Sequence, residues 1–300
     1  MGPGLDVLGC AVTGAGDTVT AEWCDERGIV MRDAGHPELP ADPAFHSSGI
    51  AAAQVLRLAL GSGMWAPSPG IALTVKKDLP LAAGQGGSAA SAVAGAVAAN
   101  ALCGSPLSSD VLLEACLIAE ATVAGRHLDN LAPSLLGGIC LVRSMDPIDV
   151  VRLPVPDSLF IVLAHPSQRL RTADARLVLP PVVERAVALH QAAQVGAIVA
   201  ALASGDLALL GRAIDDRIAE PARAPLIPGF REAKVAALDA GALGASISGA
   251  GPTTFALVAD LACARAVAVA MEGAFAAQGI ESRVRVCEVD RAGARVEVDA

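Results

Sequence analysis

The sequence predicts a two-domain α+β protein, and three observations carry that prediction. Strand-like and helix-like stretches mix in both halves of the chain without a strict βαβ rhythm, which argues for two α+β layers rather than one doubly wound sheet. The length of 300 residues suits two closely packed domains. Around Arg143–Pro156 the chain turns polar and proline-containing, which divides it into 1–150 and 151–300. Apolar residues make up 53% and charged residues 18%, so the chain has ample material for a core and little reason to be disordered. Aromatics are only 2% and tyrosine is absent, so that core is built from alanine, valine and leucine.

In chain order, "DTVTAEWC" alternates as a strand with Val19, Ala21 and Trp23 on one face, and "IALTVKK" does so with Ile71, Leu73 and Val75. Between them "SSGIAAAQVLRLAL" (47–60) has Ser47 or Ser48 as a cap and apolar positions at helical spacing. A second helix follows a glycine cluster. A third, "SSDVLLEACLIAEATVAG", starts at a Ser109/Asp110 cap and stops at Gly125, and "GGICLVR" reads as a strand. Beyond the division, "SLFIVLAH" is a buried strand, followed by helical stretches Pro181–Ala203, Asp206–Ile218 and Arg231–Ala240. Two strand-like pieces flank a second glycine loop in "GASISGAGPTTFALVA". A helix from about Asp260 to Gln278 and the strand "SRVRVCEV" complete the pattern.

Charge and cysteine usage exclude several functions. The net charge is −9, lysine occurs only at 76, 77 and 234, and the arginines are scattered, which is poor equipment for a nucleic-acid backbone. Seven cysteines, without a CxxC pair and mostly in apolar runs, read as small hydrophobes in a reducing cytoplasm. The long alanine run Ala89–Leu102 is broken by Gly95 and Asn100, so no membrane span is expected, and "MGPGLDVLG" has no basic leader region.

The first glycine cluster, Gly84-Gln85-Gly86-Gly87-Ser88, opens directly into a helix. Glycines let backbone approach a ligand closely, and the helix start turns unpaired N–H groups and its positive dipole end towards the loop. That combination favours an anion, phosphate above all, although a tight turn with close helix packing would need the same glycines. A Walker loop needs lysine after its last glycine, and here Ser88 is followed by Ala89. A dinucleotide fold wants an acid about 20 residues on. Glu114 is too far along and lies inside the third helix.

The stretch "PLAAGQGGSAAS", Pro80 to Ser91, resembles the phosphate-binding motif Pro-x-x-x-Gly-Leu-Gly-Ser-Ser-Ala-Ala of the GHMP kinases. "GPGLDVLGCAV" (2–12) resembles the opening motif of the homoserine kinases among them, and "GASISGAGPTTFAL" (244–257) the third, C-terminal glycine motif. "GRHLDNLAPSLLGG" (125–138), "RTADARLVLP" (171–180) and "EPARAPLIPGF" (220–230) resemble further homoserine kinase blocks. The resemblance implies an N-terminal ribosomal-protein-S5-like domain, a C-terminal ferredoxin-like domain and an active site in the cleft between them. It implies ATP-dependent phosphorylation of the L-homoserine hydroxyl, with Mg²⁺ and ATP as cofactors, and it allows a homodimer.

The same resemblance assigns residues. Pro80, Leu81, Ala82, Ala83, Gly84, Gln85, Gly86, Gly87, Ser88, Ala89 and Ala90 would bind ATP, and Ser88 with Glu120 would meet the metal. Glu120 stands isolated among apolar neighbours in "CLIAEATVA", with Glu114 as its rival. Arg176 and Arg223 would grip the substrate carboxylate, as arginine's planar fork suits a carboxylate, with Thr172 nearby. Asp6 would pair with the ammonium or orient the hydroxyl. His127 and Asn130, one helical turn's distance apart past Gly125, would face one pocket, Asn130 holding the hydroxyl and Asp129 between them serving as a cap. Asp6 and Asn130 are thus the candidate catalytic residues, in a reaction driven by approximation and charge stabilisation.

The chain departs from the motifs in places. It starts just before Gly2-Pro-Gly, without the preceding strand and asparagine. Gln85 stands where leucine is usual, and Gly87 where the first serine is usual. Two alternatives follow: a GHMP kinase for another small alcohol, and a catalytically impaired nucleotide-binding member.

Overall fold

Alternation builds the strands of the N-terminal half as expected, whereas the expected serine caps do not form: Ser47 and Ser48 already lie inside the first helix, Ser109 and Asp110 inside the third, and Ser108 before the third makes no side-chain capping bond. In the computed structural model, which describes residues 1–59 and 69–297, the chain begins with a tight turn at Gly2–Gly4 and a short strand β1 (Leu8–Cys10). Next come β2 (Thr18–Cys24), β3 (Ile29–Asp33), helix α1 (Ser47–Ala59), β4 (Gly70–Lys76), α2 (Gly87–Leu102), α3 (Ser109–Val123), α4 (Leu131–Leu136), β5 (Ile139–Met145) and β6 (Ile148–Leu153). Leu60, the last residue of the expected first helix, lies outside the described residues. β4 is the centre of one three-stranded sheet, antiparallel to β2 and parallel to β3, and β5 is the centre of another, between β1 and β6.

The core of this half joins the inward faces of both sheets to one face of each helix: Ile50 and Val55 of α1, Ala89, Ala92, Val93 and Ala96 of α2, and Leu113 and Cys116 of α3. The small side chains of α2 allow close approach of α1, and Ser48 Oγ donates to the Ser91 carbonyl oxygen at 2.8 Å across that contact. An alanine-rich helix suits this place because alanine loses no side-chain entropy on burial.

The polar stretch around Arg143–Pro156 is not a linker. It forms the β5–β6 hairpin, and β6 runs across the expected division between 150 and 151. Met145, Ile148 and Val150 pack on the core while Val151 and Arg152 face solvent, so the polarity belongs to the outer face of an edge strand.

The C-terminal half comprises β7 (Phe160–Pro166), α5 (Thr172–Leu177), α6 (Arg185–Ser204), α7 (Leu207–Arg212), α8 (Ala219–Arg223), α9 (Phe230–Asp239), β8 (Gly244–Ile247), β9 (Thr254–Val258), α10 (Leu261–Ala277) and β10 (Ser282–Glu288). Its antiparallel sheet has the order β10-β7-β9-β8, which is the 4-1-3-2 arrangement of a ferredoxin-like βαββαβ unit. Helices α9 and α10 cover one face through Ala233, Ala237, Val267, Met271 and Phe275, and α6 and α7 cover the other with Ile198, Leu202 and Leu210.

The stretch Asp206–Ile218 does not stay helical. α7 ends at Arg212, and the Asp216 carboxylate takes the backbone N–H groups of Ile218, Ala219 and Glu220 at 2.8, 3.0 and 3.1 Å, starting α8 on a new axis. Pro180 and Pro181 delay the next expected helix, so α6 starts only at Arg185. Among the described residues, α6 is the one helix long and apolar enough by composition to cross a membrane, and most of it is exposed. It is not the alanine run 89–102, on which the sequence expectation rested. Two of its polar side chains bond to the protein: His190 Nε2 lies 3.1 Å from the Asp215 carbonyl oxygen, and Gln191 Nε2 donates to Asp216 Oδ1 at 2.8 Å.

Candidate active site

The glycine loop between β4 and α2 is shaped by left-handed backbone. Gly84 and Gly86 have φ of +70°, and a Cβ on Gly84 would lie 2.4 Å from the Ser248 carbonyl oxygen and 2.6 Å from Gly251 N. No other residue fits there. Hydrogen bonding inside α2 begins with Ala90 N–H on the Gly86 carbonyl. The N–H groups of Gly87, Ser88 and Ala89 therefore have no partner within the helix and, with the positive dipole end, suit an anion.

A buried ion pair holds both ends of this loop. Lys77 and Asp17 pair with side chains only 5% and 0% exposed. Asp17 Oδ1 accepts from the backbone N–H groups of Asp78 and Leu79, where the loop leaves β4. Lys77 Nζ donates to the Gly87 carbonyl at 2.7 Å, where the loop enters α2, and to Ser91 Oγ at 2.9 Å, while Ser91 Oγ donates to Asp17 Oδ2 at 2.6 Å. Buried charges survive only when paired and hydrogen-bonded like this. Sequence reasoning missed Asp17 and Lys77, and the available signal was the scarcity of lysine combined with one placed three residues before Pro80. Replacing Ser91 by alanine removes a hydroxyl that bridges the pair, and a stability loss of about 1–2 kcal/mol is expected in urea unfolding; an unchanged midpoint would dismiss the pinning role.

Ser88 and Glu120 come together as the motif implied. Ser88 Oγ donates to Glu120 Oε1 at 3.0 Å. Glu120 is 5% exposed, its Oε2 is buried without a partner, and burial pushes its carboxyl up to about 7. An orphaned buried carboxylate oxygen beside a hydroxyl fits a hard cation that prefers oxygen ligands. Glu114 instead faces solvent, while Glu120 lies against Ser88.

Opposite the loop lies a charged cluster. Asp6, with a left-handed φ of +64° that non-glycine residues rarely adopt, presents its carboxylate to the fork of Arg176, at 3.1 Å from Nη2 and 3.4 Å from Nη1. His127 Nδ1 lies 3.4 Å from Asp6 Oδ1, and one ligand atom each from Asp6, His127 and Asp129 falls within 4.8 Å of the others. Asp129 is not a cap. It is buried, its Oδ1 has no hydrogen-bond partner, and burial raises its carboxyl above the usual range. Asn130, at the start of α4, connects the cluster to the loop, with its Oδ1 3.1 Å from where a Cβ on Gly86 would be. His127 and Asn130 do not share a helix turn; they flank the chain segment that leads into α4.

The two arginines differ. Arg176 is on the last turn of α5, one helical turn after Thr172 and on the same face, and it is partly exposed. Arg223 is only 1% exposed. Its Nε donates to the Ala175 carbonyl at 3.0 Å and its Nη1 to the Gly249 carbonyl at 2.8 Å, tying α5 to the third glycine motif. Its guanidinium is held below its ordinary value, first by burial and then by the nearby positive charge of Arg176. A carboxylate between the two would relieve that repulsion.

Known proteins are similar along the whole chain. The family described as GHMP kinases N terminal domain matches residues 48–138, and GHMP kinases C terminal matches residues 198–277. A homoserine kinase of Chloroherpeton thalassium is 40% identical over 303 residues, covering 98% of this chain and 94% of its own. That of Arabidopsis thaliana is 40% identical over 305 residues, covering 99% and 81%. The crystal structure of homoserine kinase from Cytophaga hutchinsonii superposes with a TM-score of 0.91 at 42% identity, covering 97% of this chain and 92% of that one. With this identity sustained over nearly its full length, the chain belongs to the homoserine kinase family of the GHMP kinases.

Proposed function

We propose that this chain transfers the γ-phosphoryl group of ATP to the side-chain hydroxyl of L-homoserine, giving O-phospho-L-homoserine and ADP. The observation that supports it best is that Asn130, next in the chain to Asp129 of the charged cluster, lies beside Gly86 of the glycine loop. Homoserine is a zwitterion with a short hydroxyl arm. Its carboxylate suits Arg176 and the neighbouring Arg223, and its ammonium suits the Asp6, His127 and Asp129 group. Thr172, on the face of α5 that carries Arg176, borders the carboxylate end. The hydroxyl then falls to Asn130 beside Gly86, next to the phosphates on the loop formed by residues 80–90.

In the transfer, the homoserine oxygen bonds to the γ-phosphorus as the bond from that phosphorus to the β-bridging oxygen breaks, ADP leaves with that bond's electron pair, and the hydroxyl proton passes to an oxygen of the transferring phosphoryl group. Negative charge builds on the phosphoryl oxygens, where the free N–H groups of Gly87, Ser88 and Ala89 are aimed. Asp6 has both carboxylate oxygens on Arg176, so it is assigned to orienting the ammonium rather than removing a proton. Approximation and charge stabilisation carry the rate. Ser88 and Glu120 would hold Mg²⁺, which supplies neutralisation of the phosphate charge when bound. A reducing cytoplasm is the compartment proposed, in keeping with seven free thiols.

The test is ADP release with Mg·ATP and L-homoserine, run beside L-serine, L-threonine, mevalonate and galactose. Turnover with homoserine at least about tenfold above the others in kcat/KM is expected. Preference for another alcohol, or ATP binding without turnover of any, would replace the proposal with one of the two alternative readings.

A further inference from the structure

The loop that carries the phosphate-binding backbone is fastened to both halves of the molecule by different means. Its ends belong to the Asp17–Lys77 pair, while its centre is attached to the C-terminal half. Ser248 Oγ donates to the Gly84 carbonyl at 2.8 Å, and Thr253 Oγ1 donates to the Ala83 carbonyl at 2.6 Å. Gln85 uses both ends of its amide on the same half: Nε2 donates to Thr253 Oγ1 at 3.1 Å, and Oε1 accepts from Arg285 Nη2 of β10 at 3.0 Å.

The donor arithmetic closes with one orientation of each group. Thr253 is fully buried and its hydroxyl has one hydrogen, which goes to Ala83. It therefore accepts from Gln85 Nε2 and from His165 Nδ1, 3.1 Å away, which puts a proton on that nitrogen. Arginine only donates, so the oxygen of the Gln85 amide must face Arg285. The turn 248–253, which donates to the loop through Ser248 and Thr253 and accepts from Gln85, also accepts from Arg223 Nη1 on the Gly249 carbonyl. The phosphate loop and a substrate-side arginine are thus referred to one piece of backbone. A leucine at 85 would offer neither bond.

We propose that Gln85 is a positioning residue, a latch through Thr253 and Arg285 that holds the phosphate loop on the 248–253 turn and so presets its shape for the nucleotide. The proposal rests on the reading that this loop holds the phosphates of ATP. Without the latch the loop samples more conformations, and ordering it becomes a cost of binding ATP.

The experiment is a double-mutant cycle with Gln85→Leu, Arg285→Met and the pair, read by titration calorimetry with Mg²⁺ and a non-hydrolysable ATP analogue, and by the KM for homoserine. Gln85→Leu should weaken analogue binding about tenfold while the homoserine KM stays within about twofold. Arg285→Met should weaken it less, and the pair should be no worse than Gln85→Leu alone, because both substitutions break one chain of bonds. Undiminished binding by Gln85→Leu would overturn the latch. So would an Arg285→Met effect of equal size with and without Gln85, which would mean that Arg285 acts by its charge alone. If the unaltered protein fails to bind the analogue, the phosphate reading itself fails, a result separate from either of these.

Discussion

Arg176→Ala is expected to raise the KM for L-homoserine about 100-fold, roughly 2–3 kcal/mol, and to leave the KM for ATP within about twofold. The side chain lies on α5, and its fork is directed at the Asp6 carboxylate with two donors rather than at the loop backbone. Its Nε is buried without a partner, so the guanidinium has hydrogen-bonding capacity left for a second anion. Arg223 stands close enough that each positive charge opposes the other, and an incoming carboxylate meets a field already built for it. Charge-assisted, planar contacts of this kind are the strong class of hydrogen bond, which sets the size of the effect. Steady-state kinetics with each substrate varied separately is the check, and an unchanged homoserine KM would remove Arg176 from the site. Arg223→Ala is a poorer probe. That side chain is 1% exposed and holds the Ala175 and Gly249 carbonyls, so its loss should lower the melting temperature as well as affinity.

What could be read in the sequence was local. The glycine loop, its opening into α2 and the Ser88 position follow from neighbours along the chain, because left-handed backbone and a helix start leave their marks within a few residues. The strands 18–24, 70–76 and 282–288 follow from alternation in the same way. What escaped was set by pairing between distant segments. Asp17 and Lys77 are 60 residues apart, and Gln85 and Arg285 are 200 apart; neither pair has a spacing that sequence periodicity could detect. Gln85 drew notice only as a departure from a motif, and its reason lies in Thr253 and Arg285. The end of α7 escaped because an apolar helical pattern continues past Arg212, while one carboxylate, Asp216, captures the backbone N–H groups two to four residues after itself. Arg223 had the right residue type for a carboxylate grip, and nothing in its neighbours announced that it would be buried on two carbonyls.

Glu120→Gln should lower kcat by about 10²- to 10³-fold, the several kcal/mol that a cation contributes at a transferring phosphoryl group. The substitution keeps shape, and the amide oxygen can still accept from Ser88 Oγ, so a folded protein is expected. The same variant tests the electrostatics without any turnover. Burial raises Glu120 from 4.5 to about 7 in the folded chain. Between those values the unfolded chain has lost the Glu120 proton and the folded chain still holds it. The folded state then binds more protons, so its stability falls as pH rises through that window. Glutamine does not ionise and escapes this loss. Urea unfolding without Mg²⁺ should give similar stabilities for the two proteins near about pH 4.5 and a Glu120→Gln advantage of about 3 kcal/mol at about pH 8. Adding Mg²⁺ with a non-hydrolysable ATP analogue should shrink that advantage, because the orphaned Glu120 Oε2 then gains a partner for its charged form. An advantage that stays constant with pH would mean that Glu120 is ionised in the folded protein throughout, and the carboxylate would then need another partner than a cation.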